Sequence, residues 1–188
     1  FEIIDSLGDA PDYLFLPVGN AGNITAYWMG FKEFYALGLS SRLPKMMGFQ
    51  ADGAAPIVHG SPIDSPKTVA SAIRIGNPAS WDGALRAKDE SGGTIDQVSD
   101  EEILEAYAIL SRNEGIFCEP ASAASIAGLA KLVETAGLDL GDKVVTCVIT
   151  GSGLKDPALV RQVNHSPVYE TSADIESITK ILTEPLSI

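Results

Sequence analysis

The 188-residue chain is 45% apolar with a mean hydropathy of +0.14, enough to bury a sizeable core, which excludes intrinsic disorder as its main state. Its formal net charge of −12 and pI of about 4.4 argue against a nucleic-acid partner, because a phosphate backbone needs a basic footprint. No apolar run approaches the roughly 18–20 residues of a membrane span, no signal-peptide pattern opens the chain, and Cys118 and Cys147 form neither a disulfide framework nor a zinc spacing, so a cytoplasmic, reducing setting is expected.

In chain order, Phe1, Ile3, Ile4 and Leu7 form a helical stripe that Gly8 terminates; a chain that starts inside a patterned helix looks cut from a longer polypeptide. Asp9-Ala10-Pro11-Asp12 is turn chemistry. Tyr13 to Val18 is a continuous apolar run, as expected of a strand buried on both faces of a parallel sheet. It ends in Gly19-Asn20-Ala21-Gly22-Asn23, after which Ile24, Tyr27, Trp28, Phe31 and Tyr35 recur at helical spacing, with Gly38 as the helix stop. Strand, small-residue loop and helix together aim backbone N–H groups at one spot beside the positive end of a helix dipole, an arrangement that binds phosphate. The glycines allow a tight turn and close approach, and Asn20 and Asn23 add amide donors. The loop is neither a Walker A motif nor a dinucleotide fingerprint, and on its own it fits a phosphate site or an ordinary strand–helix turn equally.

Further along, Lys45 to Phe49 reads as a strand, Asp52-Gly53 as a turn and Ile57-Val58 as a strand fragment. Ser65-Pro66 predicts a helix through Val69 and Ile73 to Gly76, followed by the break Arg74-Ile75-Gly76-Asn77-Pro78 and a helix over Trp81 to Lys88. Ser91-Gly92-Gly93 is a turn and Thr94 to Val98 a strand. Ser99 with Glu102 forms a capping box for a helix burying Ile103, Leu104, Tyr107 and Leu110, which Gly115 ends. Ile116 to Cys118 reads as a very short strand. Glu119-Pro120 opens a helix whose first residues, Ala121 to Ser125, are all small, with Ile126, Leu129, Ala130 and Val133 as its core stripe. Lys143 to Ile149 is the cleanest strand, and it runs into a second glycine loop, Thr150-Gly151-Ser152-Gly153. Asp156-Pro157 looks like another helix start, the pattern weakens from about Asn164, and a short helix over Ala173 to Leu182 closes the chain. Alternating strands and helices predict an α/β fold with three layers and a mostly parallel central sheet. Ligands in such sheets sit at the carboxyl ends of strands, where both glycine loops fall.

Four segments carry a resemblance. Pro17 to Ala26, Arg74 to Trp81, Cys118 to Ser125 and Thr150 to Asp156 are similar, in this order, to motifs of threonine synthases, pyridoxal-phosphate enzymes of fold type II with a tryptophan synthase β-like large domain. The resemblance implies conversion of O-phospho-L-homoserine and water to L-threonine and phosphate, in an enzyme that is commonly a homodimer. It places the cofactor phosphate on Gly19, Asn20, Ala21, Gly22 and Asn23, the pyridine nitrogen at Thr150, and Ile75 and Gly76 beside the ring. A neutral hydroxyl at Thr150, unlike a carboxylate, does not hold a protonated ring, which suits replacement and elimination chemistry. Arg74, Asn77 and Glu119 stand on the substrate side, Arg74 as either a substrate-phosphate ligand or a surface charge and Glu119 as either a cleft wall or a helix start. His59 and His165 match no motif, and the two thiols read as buried and unactivated.

The same resemblance implies a Schiff-base lysine well before the phosphate loop. None of the eight lysines (Lys32, Lys45, Lys67, Lys88, Lys131, Lys143, Lys155 and Lys180) sits in sequence similar to that site. The expectation is a C-terminal portion of the enzyme, residues 1–188 as one incomplete large domain with a tail over 165–188, inactive alone. Two alternatives remain open: another fold type II enzyme, such as a threonine or serine dehydratase or a cysteine synthase, and a non-catalytic module binding a phosphorylated small molecule.

Overall fold

The computed structural model describes residues 1–156 and 170–183. The chain divides into two compact units, Phe1–Pro157 and Ala158–Ile188. The first holds α1 (Glu2–Leu7), β1 (Tyr13–Pro17), α2 (Gly22–Ala36), β2 (Lys45–Ala51), α3 (Pro56–His59), α4 (Trp81–Ser91), β3 (Thr94–Val98), α5 (Asp100–Asn113), α6 (Pro120–Ala136) and β4 (Val145–Cys147). The described part of the second, residues 170–183, holds α7 (Ile175–Thr183). His165 and the helix start expected at Asp156-Pro157 fall wholly or partly outside the described residues. Among those described, no helix is long and apolar enough to cross a membrane.

The sheet is entirely parallel, in the order β3-β2-β1-β4. Period-two alternation divides the strands between two helical layers. Leu14, Leu16 and Met46 point to one face and join Ile24, Trp28 and Phe31 of α2 with Ala84 and Ala87 of α4 in a single buried cluster. Phe15 and Phe49 point to the other face, stacked 6.0 Å apart, where α6 lies on the sheet and α5 packs behind it. This is the three-layer α/β architecture expected from the sequence. Its topological switch lies at β1, whose two neighbours, β2 and β4, are reached by crossovers on opposite faces of the sheet, through α2 for β2 and through α5 and α6 for β4.

Asp12 fixes the β1–β4 side of that switch. Its carboxylate accepts the Val144 N–H at 2.9 Å, its own N–H donates to the Val144 carbonyl at 2.8 Å, and Lys143 and Arg42 each approach within 3.5 Å. The Val144 N–H, aided by the two cations, holds the Asp12 carboxyl below the ordinary carboxylate range.

Several expectations are corrected. The helix over 65–76 is an extended segment with one 3₁₀ turn at Ser71–Ile73, because its polar groups are paired at long range. Thr68 Oγ1 and the Val69 N–H donate to Asp100, the Lys67 N–H donates to the Gly53 carbonyl, and the Gly76 carbonyl accepts from Ile63. Ile57-Val58 lies in α3 rather than in a strand; the buried Gln50 side chain caps it by accepting from both N–H groups. Ile116 to Cys118 and much of 143–149 are less regular than expected: the former keeps only a bridge from Cys118 to Ser152, and β4 is three residues long. The buried face of α6 is not Ile126, Leu129, Ala130 and Val133 but Ala121 to Ser125, Ala127 and Gly128. A Cβ on Gly128 would sit 2.2 Å from the Phe49 ring, so the small face is what lets the helix rest on the sheet. Tyr35 likewise lies half exposed, outside the α2 core face.

Asp12→Asn tests the β4 anchor. Because the folded carboxyl is depressed, its stabilisation is complete above the unfolded value of about 3.9 and is lost as pH falls through the folded one. Urea denaturation is therefore expected to show a lower midpoint for Asp12→Asn at pH 7 and a gap that closes as the pH drops below about 4.

Candidate functional site

The carboxyl ends of β1 and β4 open into one cleft of about 340 Å³, lined by Gly19 to Asn23 on one side, Glu119, Ala121, Thr150 and Lys155 on the other, and Ala72 and Ile73. That volume falls within the range of about 300–1,000 Å³ usual for small-molecule sites.

The first wall is a loop held by its own side chains. Asn23 Nδ2 donates to the Pro17 carbonyl at 2.7 Å, tying the end of the loop to its start, and Asn23 Oδ1 accepts the Ile24 N–H at 2.8 Å. Asn20 Oδ1 accepts the Ala79 N–H at 2.7 Å and its carbonyl accepts the Ser80 N–H at 3.2 Å, bringing the start of α4 against the loop. The left-handed turn falls on Ala21, with φ 63°, rather than on either glycine. Gly19 is required for a different reason: a Cβ there would lie 2.9 Å from the Ile73 Cα. Gly22 is crowded by nothing, the nearest atom being Ser80 Oγ at 4.0 Å, so what its bare Cα provides is room.

The N–H groups of Gly19, Asn20, Ala21, Gly22 and Asn23 have no acceptor among the described residues. They lie at the N-terminus of the 15-residue α2, whose first turn carries no acidic side chain. Unpaired donors at the positive end of a helix dipole form a site for an anion, phosphate above all.

The second wall is pinned by an antiparallel contact. The Glu119 N–H donates to the Gly151 carbonyl at 2.9 Å and the Gly153 N–H to the Phe117 carbonyl at 3.1 Å. A Cβ on Gly151 would fall 2.2 Å from Glu119 Oε1, so the glycine makes room for the carboxylate. Glu119 is buried, at 5% exposure, with Thr150 Oγ1 3.4 Å from Oε1 and Lys155 Nζ 4.0 Å from Oε2. Ser122, within the small first turn of α6, reaches Thr150 Oγ1 at 2.9 Å and also accepts the Thr150 and Gly151 N–H groups.

The structure thus brings Gly19, Asn20, Ala21, Gly22, Asn23, Glu119 and Thr150 together around one cleft. Ile75, Gly76, Arg74 and Asn77 do not line it; Gly76 packs against the Ile63 carbonyl, where a Cβ would lie 1.9 Å away. Pro17, Ala72, Ile73 and Lys155 line the cleft without having been expected site residues, and Ala121 and Ser122 were expected beside it only as part of the small-residue start of α6. Ser122 was readable only as one of several small residues, because its partners lie 28 and 29 positions on. Neither cysteine offers a thiolate, since burial pushes Cys147 up to about 12 and also raises Cys118.

A family model described as pyridoxal-phosphate dependent enzyme matches residues 1–151. The chain is 56% identical over 183 residues to the threonine synthase of Synechocystis sp., covering 97% of this chain and 47% of that protein. It is 59% identical over 157 residues to the threonine synthase of Halalkalibacterium halodurans, 84% and 44% of the two, and 49% identical over 193 residues to that of Methanocaldococcus jannaschii, 98% and 47%. The chain therefore spans about half the length of the curated relatives it matches. Among solved structures, the threonine deaminase isoform 2 of Solanum lycopersicum superposes with a TM-score of 0.67 at 19% identity, over 86% of this chain and 44% of that one. A threonine deaminase from T.th. gives 0.60 at 21%, over 79% and 52%. At these identities the two superpositions show a shared fold.

The two glycines make separable predictions. Gly19→Ala is expected to force the Ile73 backbone away and to lower stability by about 1–3 kcal/mol. Gly22→Ala is expected to leave the denaturation midpoint nearly unchanged while weakening retention of a phosphate-bearing ligand, measured by equilibrium dialysis.

Proposed function

This chain belongs to the pyridoxal-phosphate dependent enzyme family, and on that premise we propose that it builds the cofactor-holding half of a threonine synthase active site. The complete protein would convert O-phospho-L-homoserine and water to L-threonine and phosphate. The observation that carries the reading is the pairing of two strand-end loops around one cleft, unpaired N–H groups on one side and a hydroxyl on the other. Identity of 49–59% to threonine synthases supports this over the deaminases, which share the fold at about 20%.

The residues present fit the cofactor. Five unpaired donors and the α2 dipole suit its phosphate, the bare Cα of Gly22 leaves space beside them, and Thr150 offers a neutral hydroxyl to a ring nitrogen. Bound pyridoxal phosphate supplies an electron sink for breaking bonds next to the amino-acid nitrogen. The protein's own part is to anchor and orient. The N–H groups of residues 19–23 fix one end, so binding energy at a non-reacting phosphate positions the reacting atoms. Thr150 fixes the other end, with the buried Glu119 carboxyl group beside it. Arg74 and Asn77 do not line the cleft and are given no part in these steps. The domain reading belongs to the proposal too: the unit Phe1–Pro157 acts as the cofactor-binding domain, and the complete protein works as a homodimer.

The complete protein, purified with pyridoxal phosphate, is expected to release phosphate and L-threonine from O-phospho-L-homoserine and to leave L-threonine, L-serine and O-acetyl-L-serine unchanged, followed by phosphate assay and amino-acid chromatography. Turnover of L-threonine to ammonia without phosphate release from O-phospho-L-homoserine would refute the assignment in favour of a deaminase.

A further inference from the structure

Ser122 Oγ has four polar neighbours. It accepts the Thr150 N–H at 2.9 Å and the Gly151 N–H at 2.9 Å, and it lies 2.9 Å from Thr150 Oγ1 and 3.4 Å from the Gly151 carbonyl. A serine hydroxyl has two lone pairs and one proton. The two N–H groups occupy both lone pairs, so every remaining contact must be a donation. The Gly151 carbonyl is the poorer target, being long and already accepting from the Glu119 N–H at 2.9 Å. The Ser122 proton therefore goes to Thr150 Oγ1.

That assignment fixes the next hydroxyl. One Thr150 lone pair is filled, and its own proton has only Glu119 Oε1 near it within the described residues, at 3.4 Å, beyond the 2.5–3.0 Å of an O–H···O bond. Thr150 faces the cleft and is exposed. The dipoles then run head to tail, from the backbone N–H groups through the Ser122 hydroxyl and the Thr150 hydroxyl into the cleft, and each bond polarises the next.

We infer that Ser122 is a positioning residue that makes Thr150 a hydrogen-bond donor to the cofactor's ring nitrogen and so keeps that nitrogen unprotonated. The inference rests on the reading of the cleft as a pyridoxal-phosphate site with the ring end at Thr150. Ser122 is fully buried and touches no ligand itself; it acts through Thr150. The electronic state of the ring is thus set by a residue 28 positions from the hydroxyl that meets it.

The test uses the complete protein loaded with pyridoxal phosphate labelled with ¹⁵N in the ring. The wild-type resonance is expected to be that of an unprotonated nitrogen accepting a hydrogen bond. Ser122→Ala is expected to move it toward the non-bonded pyridine position and to loosen the cofactor about tenfold, the loss of one hydrogen bond. A pyridinium resonance in the wild type, or an Ala variant with unchanged resonance and affinity, would overturn the inference, the first even if the Ala variant does not fold. Thr150→Val separates the two levels. If it moves neither resonance nor affinity, the reading of Thr150 as the ring's partner fails; if it moves both while Ser122→Ala moves neither, only the role of Ser122 fails.

Discussion

Backbone N–H groups are obligatory donors, and five in a row without an acceptor among the described residues are the constraint around which the first unit is organised. Proteins leave few such groups unpaired, because each costs roughly 1–3 kcal/mol when it loses water without a partner. Here the loop side chains that could have closed the gap are directed elsewhere. Asn23 binds the Pro17 carbonyl and Asn20 the start of α4. The left-handed Ala21 and the tight contact of Gly19 with Ile73 hold the loop in a shape that points its donors at open space. The layers beneath serve that shape: the α2 core residues Ile24, Trp28 and Phe31 seat the helix whose dipole backs the loop.

The opposite wall depends on small side chains. Helix α6 approaches the sheet through its smallest residues, and this closeness lets Ser122 reach the end of β4 while Glu119 stays buried beside Gly151. A larger face on α6 would lift both away from Thr150. The switch in strand order at β1 then puts this wall across from the N–H loop, and Asp12 holds β4 in place at the opposite end of the same strand pair.

Much of this was legible in the sequence because it leaves a local pattern. The strands at β1, β2 and β3, the capping box of α5 and both strand-end loops are marked by residue patterns a few positions long, which periodicity and turn chemistry report, although the strands pair and the loops are held at long range. What was missed rests on contacts between distant residues. The Ser65-Pro66 signal is a sound helix start in isolation, but Asp100, Gly53 and Ile63 take up the hydrogen bonds a helix would have made internally. The α6 stripe was misassigned because large apolar residues were expected inward, whereas the close approach to Phe49 selects Gly128 and alanines. Asn23 read only as a donor to a ligand, and its side chain also clamps the loop; the amide pattern is the same for both roles. The motif at 74–77 was legible as a break but not as one that turns away from the cleft toward Ile63.

The central claim is that the two strand-end loops hold opposite ends of one cofactor. A crystal structure of the complete protein with pyridoxal phosphate bound tests it most directly. The account predicts phosphate oxygens within hydrogen-bond distance of the N–H groups of Gly19 to Asn23 and the ring nitrogen at Thr150 Oγ1. A phosphate seated instead on Lys155 or Arg74, with the 19–23 donors facing only solvent, would contradict it.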